Sequence, residues 1–178
     1  MKRIALTVIC LLALAAPAFP AAVGDISVYA DASGNSCNIS APAGLVQVFV
    51  VHKFSDGGCA TGARFKMTYP AAATFGGATW NYVPIGDVRS DLSLAYGVLI
   101  STTTSLGSVS FFGGAPLPAC SYFSILAADN FPNAIATDCS FGEFPVKTGQ
   151  GIANPDGTCQ CNVATEPTSW GRVKALYR

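Results

Sequence analysis

The chain has 178 residues, 51 % of them apolar, with ten basic, ten acidic and one histidine side chain and a formal net charge of zero. So balanced and sparse a set of charges excludes a nucleic-acid surface built from basic clusters. The length is that of one ordinary domain, with enough chain for a real core.

The first segment sets the compartment. Lys2 and Arg3 precede an apolar run, Ile4 to Leu14, and a small, proline-containing stretch from Ala15 to Ala22. This is the layout of a secretory signal peptide over residues 1–22, too short and wrongly flanked for a spanning helix. Cleavage after Ala22 leaves Val23-Gly24-Asp25 as the new start and removes Cys10, whose preceding residues lack the small side chains of a lipoprotein site. No later segment is apolar enough to cross a bilayer. The expected location is therefore outside the cytoplasm: extracellular, periplasmic or on the cell surface.

Beyond the leader, apolar residues recur with period two, the strand signal. The predicted strands are Asp25–Ala30, Leu45–Phe54, Ala63–Tyr69, Ala78–Val83, Tyr96–Thr102, Gly107–Phe112, Ser121–Ala127, Asn133–Thr137 and Phe144–Thr148. Leu45–Phe54 is almost continuously apolar, as a central strand would be. Ala63, Phe65, Met67 and Tyr69 alternate with Arg64, Lys66 and Thr68, and Pro70 ends that strand because it cannot donate to a ladder. Turn chemistry (Ser33-Gly34-Asn35, Asp56-Gly57-Gly58, Gly76-Gly77, Pro132-Asn133, Pro155-Asp156-Gly157) separates the runs. The expected fold is an all-β antiparallel two-sheet sandwich over residues 23–167, jelly-roll or immunoglobulin-like. A basic amphipathic tail, residues 168–178, reads as a short C-terminal helix. Thr168 or Ser169 caps it, Trp170, Val173, Leu176 and Tyr177 share one face, and Arg172, Lys174 and Arg178 turn outward.

Six cysteines remain after the leader: Cys37, Cys59, Cys120, Cys139, Cys159 and Cys161. An even count in an exported chain reads as three disulfides. Cys159 and Cys161 are too close along the chain to bond each other without strain, so both bond elsewhere and only one bridge joins two of the remaining four. The expected pairing is Cys37 with Cys59, and Cys120 and Cys139 each with one of Cys159 and Cys161. A metal site at Cys-x-Cys would need further thiols or histidines, and His52 is the only imidazole. No cofactor and no metal are expected.

Candidate sites are few. His52 ends an apolar strand, with no Gly-x-Ser-x-Gly elbow or His-Glu-x-x-His motif in the chain to partner it, so the expectation is a protein that is not an enzyme. Glu143 and Glu166 are the only glutamates available to a glycosidase pair, and the aspartates mostly occupy turns. Asp31, Ser33 and Asn35 alternate as calcium ligands can, but Ser36 stands where such a loop needs glycine, which favours a plain turn. Trp80, Tyr82, Tyr69 and Tyr96 form a candidate aromatic strip that could stack on sugar rings, the commoner role of such residues being core. Trp170, Lys174 and Tyr177 either dock the tail on the sandwich or present it to an export or attachment machine.

Two resemblances add to this. The opening Asp25-Ile26-Ser27-Val28-Tyr29-Ala30-Asp31, the Gly62-Ala63-Arg64-Phe65 strand, the cysteine-rich end and the closing Ser169 to Arg178 resemble a group of uncharacterised exported bacterial proteins with a Trp-Gly-x-x-Lys-x-x-Tyr ending. That group implies no activity. The pattern Gly44–Val51 followed by Gly62–Tyr69 and Pro70 is similar to the early strands of cohesin-like sandwiches. The functional expectation is a non-enzymatic secreted or cell-surface binding or adhesion module whose partner is an extracellular protein or glycan. The alternative is a self-assembling, fimbria-like filament subunit. Its penultimate tyrosine would be Tyr177, although Thr stands at position 165 and the ending reads helical. A small secreted hydrolase ranks third.

Overall fold

The structure, a computed structural model, describes residues 23–54, 57–159 and 161. Thirteen strands make up the regular structure of this region: β1 (Asp25–Tyr29), β2 (Asn38–Ile39), β3 (Gly44–Lys53), β4 (Ala60–Thr68), β5 (Thr74–Trp80), β6 (Val83–Asp87), β7 (Asp91–Ile100), β8 (Thr104–Gly113), β9 (Ser121–Leu126), β10 (Ile135–Thr137), β11 (Glu143–Pro145), β12 (Lys147–Thr148) and β13 (Gln150–Ala153). They form a five-stranded sheet ordered β12-β1-β3-β8-β5 and an eight-stranded sheet. The larger sheet runs β11-β10-β4-β9-β13-β2, with β7 on the other edge of β4 and β6 beyond it.

The alternation in the sequence explains which faces meet. Val46, Val48 and Val50 of β3 point inward and are buried, as are Phe65 and Met67 of β4, while Arg64 and Lys66 turn outward. Between the sheets these residues meet Ile26, Val28, Leu92, Leu94, Val109, Phe111, Phe123 and Ile125 in one continuous core. The near-continuous apolar run in β3 suits its place between β1 and β8. Ser27 and Tyr29 do point away from Ile26 and Val28, yet they too are covered: Tyr29 packs with Cys37 and Val51 in a second small cluster.

Two expectations about the sheets are corrected. The sandwich is not purely antiparallel, because β1 pairs parallel with β12 and β2 parallel with β13. Both strands come from the segment Lys147–Ala153, which crosses from one sheet to the other at Gly149 and so must lie parallel to its early-chain neighbours. The crossing requires glycine: a Cβ there would lie 2.1 Å from Ser27 Oγ. The predicted strand Ala78–Val83 is instead two strands. Asn81 breaks it by donating its backbone amide to Leu106 O (2.9 Å) and its side-chain amide to Ser105 O (3.0 Å), so Trp80 ends β5 and Tyr82 lies in the connection before β6. Strands β2 and β13, and the first half of β7, lie outside the predicted ranges. No helix occurs among the described residues; the leader and the 168–178 tail, with its expected helix, lie outside them.

The disulfides are Cys37–Cys161, Cys59–Cys139 and Cys120–Cys159, with Cα separations of 5.7, 5.8 and 5.7 Å. Cys159 and Cys161 do bond elsewhere, and Cys120 takes one of them. The Cys37–Cys59 pairing is wrong, and Cys139 pairs with neither. Cys37 immediately precedes β2, whose parallel partner β13 leads toward Cys161, and the Cys161 amide donates to Asn38 Oδ1 (3.1 Å). Cys59 immediately precedes β4, whose neighbour β10 ends at Thr137, two residues before Cys139. Strand pairing over long sequence separations, not proximity along the chain, decides the bridges. Each stabilises by about 2–4 kcal/mol.

Asn154 ties these ends together. It has a positive φ of 47°, tolerable for asparagine. Its side chain accepts from the Ala41 amide (2.9 Å) and donates to the carbonyls of Ala41 (3.0 Å) and Leu117 (2.7 Å). Removing the amide leaves three backbone groups without that partner. Asn154→Ala is expected to lower unfolding free energy by about 3 kcal/mol, read as a shifted denaturant midpoint. Peptide mapping without reduction should return the 37–161, 59–139 and 120–159 linkages; a peptide joining Cys37 to Cys59 would refute this topology.

Candidate functional site

His52 is fully buried at the end of β3. Its Nε2 lies 2.6 Å from Val23 O, and a carbonyl only accepts, so Nε2 carries the proton. Nδ1 then accepts from the Tyr96 hydroxyl at 2.9 Å. Burial pushes the imidazole down from 6.5 to about 4, against the hydrogen bond to Val23. It likewise raises the Tyr96 phenol well above its usual range. Both ring nitrogens are committed to holding the first described residue and the β7 bulge, which makes His52 a structural residue here.

The four candidate aromatics do not form one strip. Tyr96 is buried, with the half-buried Tyr82 ring 4.7 Å away. Trp80 packs edge-on to Phe65 at 6.2 Å, and Tyr69 packs against Phe111 at 4.9 Å and Phe75 at 6.4 Å. Asp31, Ser33 and Asn35 make a closed turn: Asp31 accepts from the amides of Ser33 (3.0 Å), Asn35 (3.1 Å) and Ser36 (2.9 Å). Against some desolvation, these amides hold its carboxyl below the usual range. Glu143 opens β11; Trp170, Lys174, Tyr177 and Glu166 lie outside the described residues.

The outer face of the larger sheet carries a different constellation. Gly62 of β4 stands opposite Ala95 of β7 and Thr137 of β10, so three neighbouring strands place small side chains in one row. The result is a hollow of about 260 Å³ whose lining includes Ile85, Ile135, Phe131, Arg64 and Glu143. Arg64 donates from Nε to Asp91 Oδ1 (2.7 Å) and from Nη2 to Oδ2, while the Phe131 ring lies 3.9 Å from its Cζ. The paired guanidinium holds the Asp91 carboxyl below the usual carboxylate range. A stacked, bidentate arginine is a fixed positive charge on the wall of the hollow.

Beside the hollow the sheet is irregular and apolar. Two steps along β4, Gly62 to Ala60, span five along β7, Ala95 to Ile100, so β7 bulges, with Gly97 at a φ of 68°. The bulge turns Tyr96 in toward His52 and leaves Val98 and Leu99 in solvent. Val83, Ile85, Val98 and Leu99 are 59–65 % exposed, and Phe141, in the loop between β10 and β11, is 78 % exposed. These residues carried no sequence signal as a set. Pro84 inside a strand marks an edge, and Phe141 between Ser140 and Gly142 marks a turn, but only the fold brings them to one face.

The β6 edge is closed to strand addition. Met67 donates its amide toward the β6–β7 turn, to Val88 O at 2.6 Å, so the odd-numbered residues of β4 hydrogen-bond the β7 side. Leu92 and Leu94 then serve β4, while Asp91, Ser93 and Ala95 serve β6. Pro84, opposite Leu94, consequently faces the open edge, where it offers no N–H. Contacts on this face must go through side chains.

No protein-family model matches the chain, and no curated protein matches its sequence. Solved structures do share its fold. A cohesin module from the family 33 glycoside hydrolase of Clostridium perfringens aligns with a TM-score of 0.54 at 10 % identity, over 76 % of this chain and 99 % of the module. A non-cellulosomal cohesin from the hyperthermophilic archaeon Archaeoglobus fulgidus aligns at 0.52 and 15 % identity, over 76 % and 94 %. At such identities the likeness is one of fold. It bears out the cohesin-like reading of the segments that became β3 and β4, and the two-sheet sandwich.

The histidine gives a pH test. Its folded value lies below its unfolded one, so its stabilising effect is complete above 6.5 and is lost as pH falls toward 4, a change of about 3 kcal/mol. Thermal unfolding of the native protein should show this acid-side loss. In His52→Gln, which keeps a donor for Val23 but cannot be protonated in that range, the slope across this window should flatten.

Proposed function

We propose that this chain is a non-enzymatic, exported protein-binding module that engages its partner through the outer face of the larger sheet. The observation that carries the reading is the hollow at Gly62, Ala95 and Thr137, flanked by Ile85, Phe131 and the fixed Arg64, with Val83, Val98, Leu99 and Phe141 exposed on the strands and loop that lead into its lining. Apolar side chains gathered on one face, with charges at the rim, are the composition of an interface core and its margin. Three disulfides and a leader-like start support an oxidising compartment. The rigid sandwich suits presentation of a surface better than chemistry. Among the described residues the one imidazole is locked between a carbonyl and a phenol, and all six cysteines are bridged.

The partner class this face favours is protein rather than glycan. Sugar stacking uses broad exposed rings, whereas the exposed residues here are mainly branched aliphatic side chains beside a small hollow. Site-specific photo-crosslinking in the producing cells tests the reading. A photoreactive residue at Ile85 should yield a covalent protein adduct, and one at Leu45, which lies on the five-stranded sheet, should not. Adducts at Leu45 alone, or none at Ile85, would move the binding face or remove it.

A further inference from the structure

We infer that the partner on this face is a second copy of the same chain, with Phe141 of each copy entering the hollow of the other; this rests on the binding face proposed above. The first support is the build of the Phe141 loop. Asp138 is buried and its Oδ1 accepts from the amides of Ser140 and Gly142, both at 2.8 Å. Its own amide donates to Gly142 O (2.8 Å), and its carbonyl accepts from the Phe141 amide and the Thr61 hydroxyl, both at 3.1 Å. The Cys59–Cys139 bridge fastens the loop to the start of β4. Phe141 is thus held at a φ of 64° with its side chain in water. That left-handed conformation costs a non-glycine residue roughly 1–2 kcal/mol. The loop fixes the backbone that carries this exposed aromatic side chain, which lowers the backbone entropy lost when it is captured.

The second support is self-complementarity. Knob and hollow are neighbours along the chain, since Glu143, two residues after Phe141, lines the hollow. A two-fold contact needs this arrangement, the same patch serving both partners. The lining accepts an aromatic ring: Ile85, Ile135 and Phe131 stand around a floor that includes Gly62 and Ala95. The lining also carries Glu143 and Arg64, whose Nε and Nη2 are taken by Asp91 of its own chain and whose Nη1 is left for a second carboxylate. In the inferred two-fold contact Glu143 of each copy meets the remaining Nη1 edge of the other's Arg64, forming a carboxylate–guanidinium–carboxylate bridge with Asp91. Pro84 keeps the β6 edges from pairing, so the contact stops at two copies instead of extending a sheet.

Sedimentation equilibrium of the protein with its bridges formed, over rising concentration, is the direct test. The mass should move from one chain toward two. Phe141→Gly should weaken association at least about tenfold while its melting temperature holds or rises, because glycine relieves the left-handed strain. Each of Arg64→Glu and Glu143→Lys should weaken association alone, and an equimolar mixture of the two should restore it, since both cross-copy pairs are then opposite in sign. A wild-type protein that stays monomeric to about 1 mM, or a Phe141→Gly variant that dimerises unchanged, would overturn the inference. The two readings fail separately: an Ile85 adduct to a different protein with a monomeric wild type removes only the second copy, whereas no Ile85 adduct removes the face itself.

Discussion

Gly149 is the residue on which both sheets depend. Its amide donates to Ile26 O in β1 (3.0 Å) and its carbonyl accepts from Ile125 N in β9 (3.2 Å), so one residue joins the five-stranded sheet to the eight-stranded one. The residues before it pair with β1 as β12 and those after it pair with β9 and β2 as β13. A sandwich held only by side-chain packing can shear; one sewn along a side by backbone hydrogen bonds resists it. The bridges then work from a defined frame. Cys37–Cys161 closes where β2 meets the chain beyond β13, and Asn154 locks the same corner to Ala41 and Leu117.

That frame accounts for the irregularities on the larger sheet. The β7 bulge places a glycine at positive φ and two aliphatic side chains in water, and on its own it would weaken the sheet. It is held from beneath, because Tyr96 turns inward to His52, and His52 reaches on to Val23. The same chain of contacts explains why a single buried histidine sits in an otherwise apolar strand end. It satisfies a phenol and a carbonyl that would otherwise be buried without partners. Both nitrogens of the imidazole are thus taken up by contacts that hold the fold.

How much of this was legible in the chain depends on how each feature is encoded. Strands with one buried face are written locally, so Phe65 and Met67 against Arg64 and Lys66 identified β4 directly, and the valines of β3 marked a central strand. Strands β2 and β13 are two and four residues long, too short for period two to register, and they make one of the two parallel pairs. Missing them also hid the Cys37–Cys161 bridge, since no local pattern shows that residues 124 apart are neighbours. The aromatic residues singled out from the sequence sit in packing positions because periodicity detects what faces a core. The proposed binding face is made of a bulge, a loop and an edge strand, where periodicity fails, and its hollow exists only once the register sets Gly62 against both Ala95 and Thr137.

The four non-glycine residues with positive φ among those described separate structural from functional strain. Asn130 and Asn154 are of the type that tolerates the left-handed region, and Asn154 uses it to reach three backbone groups. Cys120 is held there by its bridge to Cys159. Phe141 has no comparable return among the described residues: its side chain is the most exposed of their large apolar ones, and the hydrogen bonds that fix the loop all come from Asp138, Thr61 and the backbone, which any residue at position 141 would leave intact. Selection for stability alone would place glycine or asparagine there. A phenylalanine instead, in a loop that buried carboxylate and disulfide both stiffen, makes sense when its stabilising contacts lie outside the chain that carries it.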